Sequence, residues 1–245
     1  MSTANAFRTS LFRIPRTPSF TSPFRAITAS ALKQRPIAQP QHRTMSSTNF
    51  LEDLKKRRTI YAISPKSPIP DARIHEIVQQ VVLHVPSSFN SQSSRAVVLL
   101  KGEHDKLWDI VAEVLKPVVP EGGWPTTEKK IAGFKAGYGT VLFFEDSEPV
   151  RKLQEAFPLY QAAFPGWSQH TAGMIQFATW TALELEGFGA SLQHYNPLID
   201  EKVRATWNIP ATWNLIAEMP FGTPTAAPAE KAFSPIEERV KIYGL

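Results

Sequence analysis

Two short runs carry side chains suited to holding an anionic, polar-edged planar ligand. Arg57-Arg58-Thr59-Ile60-Tyr61 sets two forked cations beside a hydroxyl, and Pro86-Ser87-Ser88-Phe89-Asn90-Ser91-Gln92 offers serine hydroxyls and two side-chain amides. Guanidinium groups match phosphate and carbonyl edges with paired donors, while hydroxyls and amides match heterocycle edges from either side of the hydrogen bond. A third run, Glu186-Gly187-Phe188-Gly189, has glycines where backbone N–H groups can approach a ligand without a Cβ in the way. Each run alone has an ordinary reading: a cationic helix end favoured by the helix dipole, a polar loop, a turn. Their occurrence together and in this order sets them apart.

Other chemistries find less support. Gly137-Tyr138-Gly139 precedes a predicted strand and Gly187-Phe188-Gly189 follows a predicted helix, so neither meets the strand–GxGxxG–helix order of a dinucleotide fingerprint. There is no P-loop and no Gly-x-Ser-x-Gly elbow. The six histidines do not fall at ligand spacing, so no metal site is expected. With no cysteine in the chain, disulfides, iron–sulfur clusters and thiol nucleophiles are excluded.

The elements that must position these runs follow from periodicity. A helix opening near Ser47, with Asn49 and Glu52 as a capping-box-like pair, ends at Arg57-Arg58. Asp71 opens an amphipathic helix in which Ile74, Ile77, Val78, Val81 and Val82 recur at helical spacing up to Pro86. Arg95–Lys101 and Thr140–Glu145 read as buried strands, with a helix over Glu103–Leu115 between them. Residues 117–128, with Pro117, Pro120 and Pro125, are expected to be a long loop. A short helix over Pro149–Phe157 precedes Ser168–Leu185, a helix apolar on nearly every side and therefore expected to be buried in a core or against a partner. Ala190–His194 and Trp213–Met219 are strands flanking a helix over Asp200–Trp207, and the tail from Phe221 to Leu245 is expected to dock. The class is α+β.

The charge is uneven. Residues 1–44 hold seven Lys and Arg and no acid; removing those seven from the 27 leaves 20 cations against 22 acids, so the remainder is near neutral and no nucleic-acid face is expected. The Arg- and Ser-rich, acid-free start is the composition of an organelle transit peptide. Residues 1–46 are therefore expected to be a mitochondrial leader or a disordered extension, with a cytoplasmic form starting at Met45 as the alternative. No run approaches the roughly 18 apolar residues of a membrane span.

Taken in order, these runs resemble the flavin-binding signatures of the nitroreductase family, and of its fungal branch in particular, over about residues 48–243. The likeness includes Ala136–Glu145, Glu186–Pro197 and Pro220-Phe221-Gly222-Thr223-Pro224. The resemblance implies a nitroreductase-like fold over 47–245: a central, mainly antiparallel sheet flanked by helices, and a homodimer built on a long buried central helix. It also implies FMN as cofactor, NADPH or NADH as donor, and ping-pong hydride transfer through flavin N5 to nitroaromatic or quinone-like planar acceptors. Arg57, Arg58, Thr59, Tyr61, Glu186, Gly187, Gly189 and Lys231 would hold the flavin from one subunit, and Ser87, Ser88, Asn90 and Gln92 from the other. Lys129 or Lys130 would also come near it, and Tyr61 stands where many bacterial relatives have a basic residue. Phe134, Tyr138, Phe157, Tyr160, Phe164 and Trp167 are candidate walls of the acceptor slot, with core or loop packing as the alternative for each. A flavin-holding stress-response or regulatory module with little turnover is the competing reading.

Overall fold

The computed structural model describes residues 47–245, so the segment expected to be a leader lies outside the described residues. Helix α1 (Ser47–Lys56) runs into the cationic segment, which leads to β1 (Ile63–Ser64), and α2 (Asp71–His84) follows. A 3₁₀ turn at Ser88–Asn90 precedes β2 (Ser94–Leu100), α3 (Gly102–Leu115), α4 (Trp124–Lys135) and β3 (Gly139–Asp146). Next come α5 (Ser147–Ala156), the long α6 (Phe164–Leu185), β4 (Gly189–Ala190) and α7 (Asp200–Trp207). Strand β5 (Trp213–Pro224) and the short α8 (Ile236–Arg239) end the chain.

The sheet runs β1-β5-β3-β2, with β4 also on β5, and every strand pair is antiparallel. Strand β3 is buried along its whole length. Alternation sends Val141 and Phe143 to the face covered by Ile74 and Val78 of α2 and Ile175 and Leu183 of α6. Leu142 and Phe144 face Leu107 and Trp108 of α3, Phe134 of α4 and Val203 of α7. Each fully buried side chain of this size contributes about 1.5–3 kcal/mol, so the two layers hold the sheet from both sides. A bulge between Phe143 and Phe144 lets β5 pass over Ile216. That one extra residue flips the parity: Leu215 joins the α3 layer, whereas Ala217, Met219 and Phe221 join the α2–α6 layer.

Several boundaries differ from the sequence expectation. The loop expected over 117–128 gives way at Trp124 to α4, because Pro125 sits in the first helical turn, where its missing N–H costs nothing. For the same reason α6 begins at Phe164, with Pro165 in its first turn, rather than at Ser168. Strand β4 is confined to Gly189–Ala190, not Ala190–His194, and β5 continues past Met219 to Pro224. Within the single chain helix α6 is not buried all round: Met174 and Phe177 are 41% and 39% exposed. Phe50 and Leu51 of α1 are exposed as well in the single chain, and so are Phe233, Ile242 and Tyr243 of the tail.

Candidate functional site

The cationic run is held between the end of α6 and the start of β4. The backbone N–H of Arg58 donates to Glu184 Oε2 at 2.7 Å, and that of Ile60 donates to the Ala190 carbonyl at 2.9 Å. Trp180, one turn before Glu184 on α6, donates its indole N–H to Glu184 Oε1 at 2.9 Å, and the Arg57 guanidinium lies 4.5 Å above the Trp180 ring. Such a stack contributes about 0.5–2 kcal/mol and fixes the plane of the guanidinium. Burial pushes the Glu184 carboxyl up, against the downward pull of the Arg58 N–H, the indole and the Arg57 charge. Glu184 was missed in the sequence; its only signal is the i,i+4 spacing to Trp180 on the apolar helix.

Arg57, Arg58, Thr59 and Tyr61 line one wall of a cavity of about 630 Å³, and the tail segment that carries Lys231 lines the other. This volume is that of a small-molecule site, about 300–1,000 Å³. Arg58 also donates to the Ala229 carbonyl, which ties the tail segment to the run. A smaller cavity of about 360 Å³ adjoins Arg57 and is lined by Glu184 and Gly187. Gly187 has φ +93°, a conformation that glycine adopts freely, and a Cβ on Gly189 would lie 2.7 Å from Ile60 Cγ2. The glycines therefore let β4 close on the cationic run. Glu186, expected at the ligand, instead directs its carboxylate to Arg73, with Nη2 at 2.7 Å, because the turn at Gly187 carries it to the α2 side.

The second run forms a tight loop closed on itself. Ser87 Oγ accepts the Gln92 N–H at 2.9 Å, and Asn90 N–H donates to the Ser87 carbonyl at 3.0 Å. Phe89, Asn90 and Gln92 all have positive φ, at 54°, 52° and 48°. Holding such residues there costs of order 1–3 kcal/mol each. Asn90 and Gln92 are exposed, and their amides have no partner among the described residues. Ser87 and Gln92 line a groove of about 800 Å³ over β2, not the cavity of Arg57. The two runs thus belong to different cavities of the single chain.

The aromatic candidates also separate. Phe134 lines a cavity of about 550 Å³ with Tyr61, Lys129, Lys130 and Gln193. Phe157, Tyr160, Phe164 and Trp167 gather instead around Phe89, whose ring lies parallel to Trp167 at 5.9 Å and 5.0 Å from Phe157. Phe89 is the centre of that group, and sequence reading passed it over as loop. Tyr138 is not a wall of either cavity: its hydroxyl donates to Asp71, beside the Lys101–Asp71 ion pair at 2.6 Å. It packs against the α2–α6 layer of the core rather than the layer that holds Phe134. Among the described residues no cluster of His, Cys, Asp and Glu fits a metal, and no helix is long and apolar enough to cross a membrane.

The family model described as the nitroreductase family matches residues 54–223. Nitroreductase FRM2 of Saccharomyces cerevisiae is 38% identical over 205 residues, covering 81% of this chain and 100% of its own. The structure of nitroreductase CinD from Lactococcus lactis in complex with nicotinic acid is 42% identical, covers 80% of this chain and 100% of its own, and superposes with a TM-score of 0.75. CinD has also been solved in complex with 4-nitrophenol, with a TM-score of 0.73. A protein from Desulfovibrio desulfuricans solved in complex with FMN shares the fold alone, at 17% identity over 80% of this chain and 96% of its own, with a TM-score of 0.58. With more than half of the chain matched and the cationic run, the glycine turn and the antiparallel sheet in place, this chain belongs to the nitroreductase family of oxidoreductases.

Proposed function

We infer that the chain works as a homodimeric FMN oxidoreductase, taking reducing equivalents from NADPH or NADH and passing them to planar nitroaromatic or quinone-like acceptors. The observation that carries this reading is the convergence of Arg57, Arg58 and Lys231 on one cavity, beside glycines that let β4 come close. Three cations suit a phosphomonoester and an electron-rich ring edge, and a Cβ on Gly189 would displace the run that supplies them. The residues present therefore fit FMN, which when bound supplies the hydride chemistry.

The protein's part is placement. Glu184 and Trp180 hold Arg57 and the Arg58 backbone, so the cations are oriented before a ligand arrives. Thr59 and Tyr61 add hydroxyls to the same wall. The strained loop of Ser87, Ser88, Asn90 and Gln92 offers polar groups that lack a ligand-sized cavity shared with Arg57 in one protomer. A second copy supplying that loop resolves the separation. The exposed Phe50, Leu51, Met174 and Phe177 are the apolar surface that such a partner would cover, and the exposed tail is available for the same interface.

Steady-state oxidation of NADPH and NADH by the purified FMN-loaded chain, with and without a nitroaromatic or a quinone, tests the reading. Acceptor-dependent oxidation with parallel-line kinetics is expected. A flavin-loaded protein that oxidises neither donor would instead favour the flavin-holding regulatory module.

A further inference from the structure

Helix α4 turns Thr126, Lys129, Lys130, Gly133 and Phe134 to the cavity of about 550 Å³, at positions i, i+3, i+4, i+7 and i+8 of one face. Tyr61 and Gln193 close the other side, and Tyr61 also lines the Arg57–Lys231 cavity, so the two spaces meet at one side chain. No acid lines this cavity, and neither Lys129 nor Lys130 has an acidic partner among the described residues. The next lysine on the helix, Lys135, is by contrast paired with Asp109 at 2.5 Å.

Gly133 is the second observation. It lies inside α4, where glycine is disfavoured by about 1 kcal/mol against alanine. Packing does not demand it, because a Cβ built there meets nothing within 4 Å. Its effect is to leave the cavity wall flat between two ammonium groups and the Phe134 ring.

We propose that this cavity selects planar acceptors carrying an anionic substituent, a carboxylate or a phenolate, with Lys129 and Lys130 on the charge and Tyr61 and Phe134 against the ring. This acceptor class presupposes the flavin oxidoreductase reading above. Each exposed pair strengthens binding about two- to fivefold, and salt screens it.

The test is calorimetric titration of the FMN-loaded full chain with benzoate and with benzyl alcohol, in wild type, in the double variant Lys129→Gln/Lys130→Gln and in Gly133→Leu. Benzoate should bind about fivefold or more tightly than benzyl alcohol at low salt. The preference should vanish in the double variant while FMN affinity stays the same. Gly133→Leu, a better helix former in open space, should keep or raise the thermal midpoint and weaken both probes about tenfold or more. Equal binding of the two probes, a preference that survives the double substitution, or wild-type affinities in Gly133→Leu would overturn the proposal. So would a double variant that loses FMN, or that shifts only the NADPH-to-NADH ratio, since the lysines would then serve the cofactor or the donor. A chain that holds no FMN at all would defeat the flavin reading itself, whereas a yellow protein indifferent to probe charge defeats only this inference.

Discussion

Replacing Glu218 by glutamine should change how stability depends on pH. Glu218 lies in the centre of β5, opposite Leu142, and is fully buried on the face of the sheet covered by α3, α4 and α7. One carboxylate oxygen accepts the Tyr195 N–H at 2.9 Å, and the other has no partner. Burial, with the nearby Asp200 charge, pushes the carboxyl from its ordinary 4.5 up to about 7, against the pull of the Tyr195 N–H. Between these values the folded chain keeps a proton that the unfolded chain has lost, so stability falls as pH rises through this window. At about 1.4 kcal/mol per pH unit, the native state gives up ~3 kcal/mol between pH ~4.5 and pH ~7 through this one group. Glutamine has the shape of the protonated acid, can accept the Tyr195 N–H, and does not titrate. Urea unfolding followed by tryptophan fluorescence, at one protein concentration and a series of pH values, measures the difference between the two proteins. The buried Glu145 and the half-buried Glu184, whose values are also raised, contribute equally to both curves and cancel. The variant should gain on wild type progressively up to about pH 7 and hold that gain above it, with Asp200 blurring the midpoint through its coupling to Glu218. Parallel pH curves for the two proteins would show that Glu218 is ionised in the native state and that this reasoning is wrong.

Three further outcomes are expected. Gly189→Ala places a Cβ 2.7 Å from Ile60 Cγ2 and strains the Ile60–Ala190 hydrogen bond, so it should cost about 1–3 kcal/mol and lower the thermal midpoint by several degrees; an unchanged midpoint would mean that the cationic run yields easily. Glu184→Gln cannot accept from both the Arg58 N–H and the Trp180 indole as the carboxylate does, and should weaken FMN retention by about tenfold, read from flavin fluorescence on titration; wild-type retention would remove Glu184 from the site. Phe177→Asp puts a charge on the exposed apolar face of α6 and should give a sedimenting monomer that loses its flavin, whereas a yellow dimer would place the interface elsewhere.

The sequence disclosed the sheet and the cationic run because both rest on local pattern. Val141 to Phe144 is a continuous apolar stretch too short for a helix, and Ile74, Ile77 and Val78 mark one helical face. Helix α4 was hidden because its apolar signal is sparse and Pro125 resembles a breaker until its place in the first turn is known. Glu186 and Glu184 could not be told apart by composition; the positive φ of Gly187 decides which carboxylate faces Arg73 and which faces Arg58. Phe89 was unreadable for a similar reason, since only its left-handed backbone brings the ring onto Trp167. Side-chain grouping across elements, as in the division of the aromatic candidates between Tyr61 and Phe89, depends on packing that no spacing rule encodes.

The central claim, that the Arg57–Arg58–Lys231 cavity belongs to a flavin oxidoreductase, is tested most directly by one absorbance experiment. The full chain is supplied with FMN, freed of unbound cofactor, and recorded without oxygen before and after addition of NADPH or NADH, beside Arg57→Ala. Wild type should keep the visible flavin bands and bleach them with a donor, and Arg57→Ala should emerge largely colourless. A colourless wild-type protein, or an Arg57→Ala variant that keeps and bleaches its flavin as wild type does, would contradict the account.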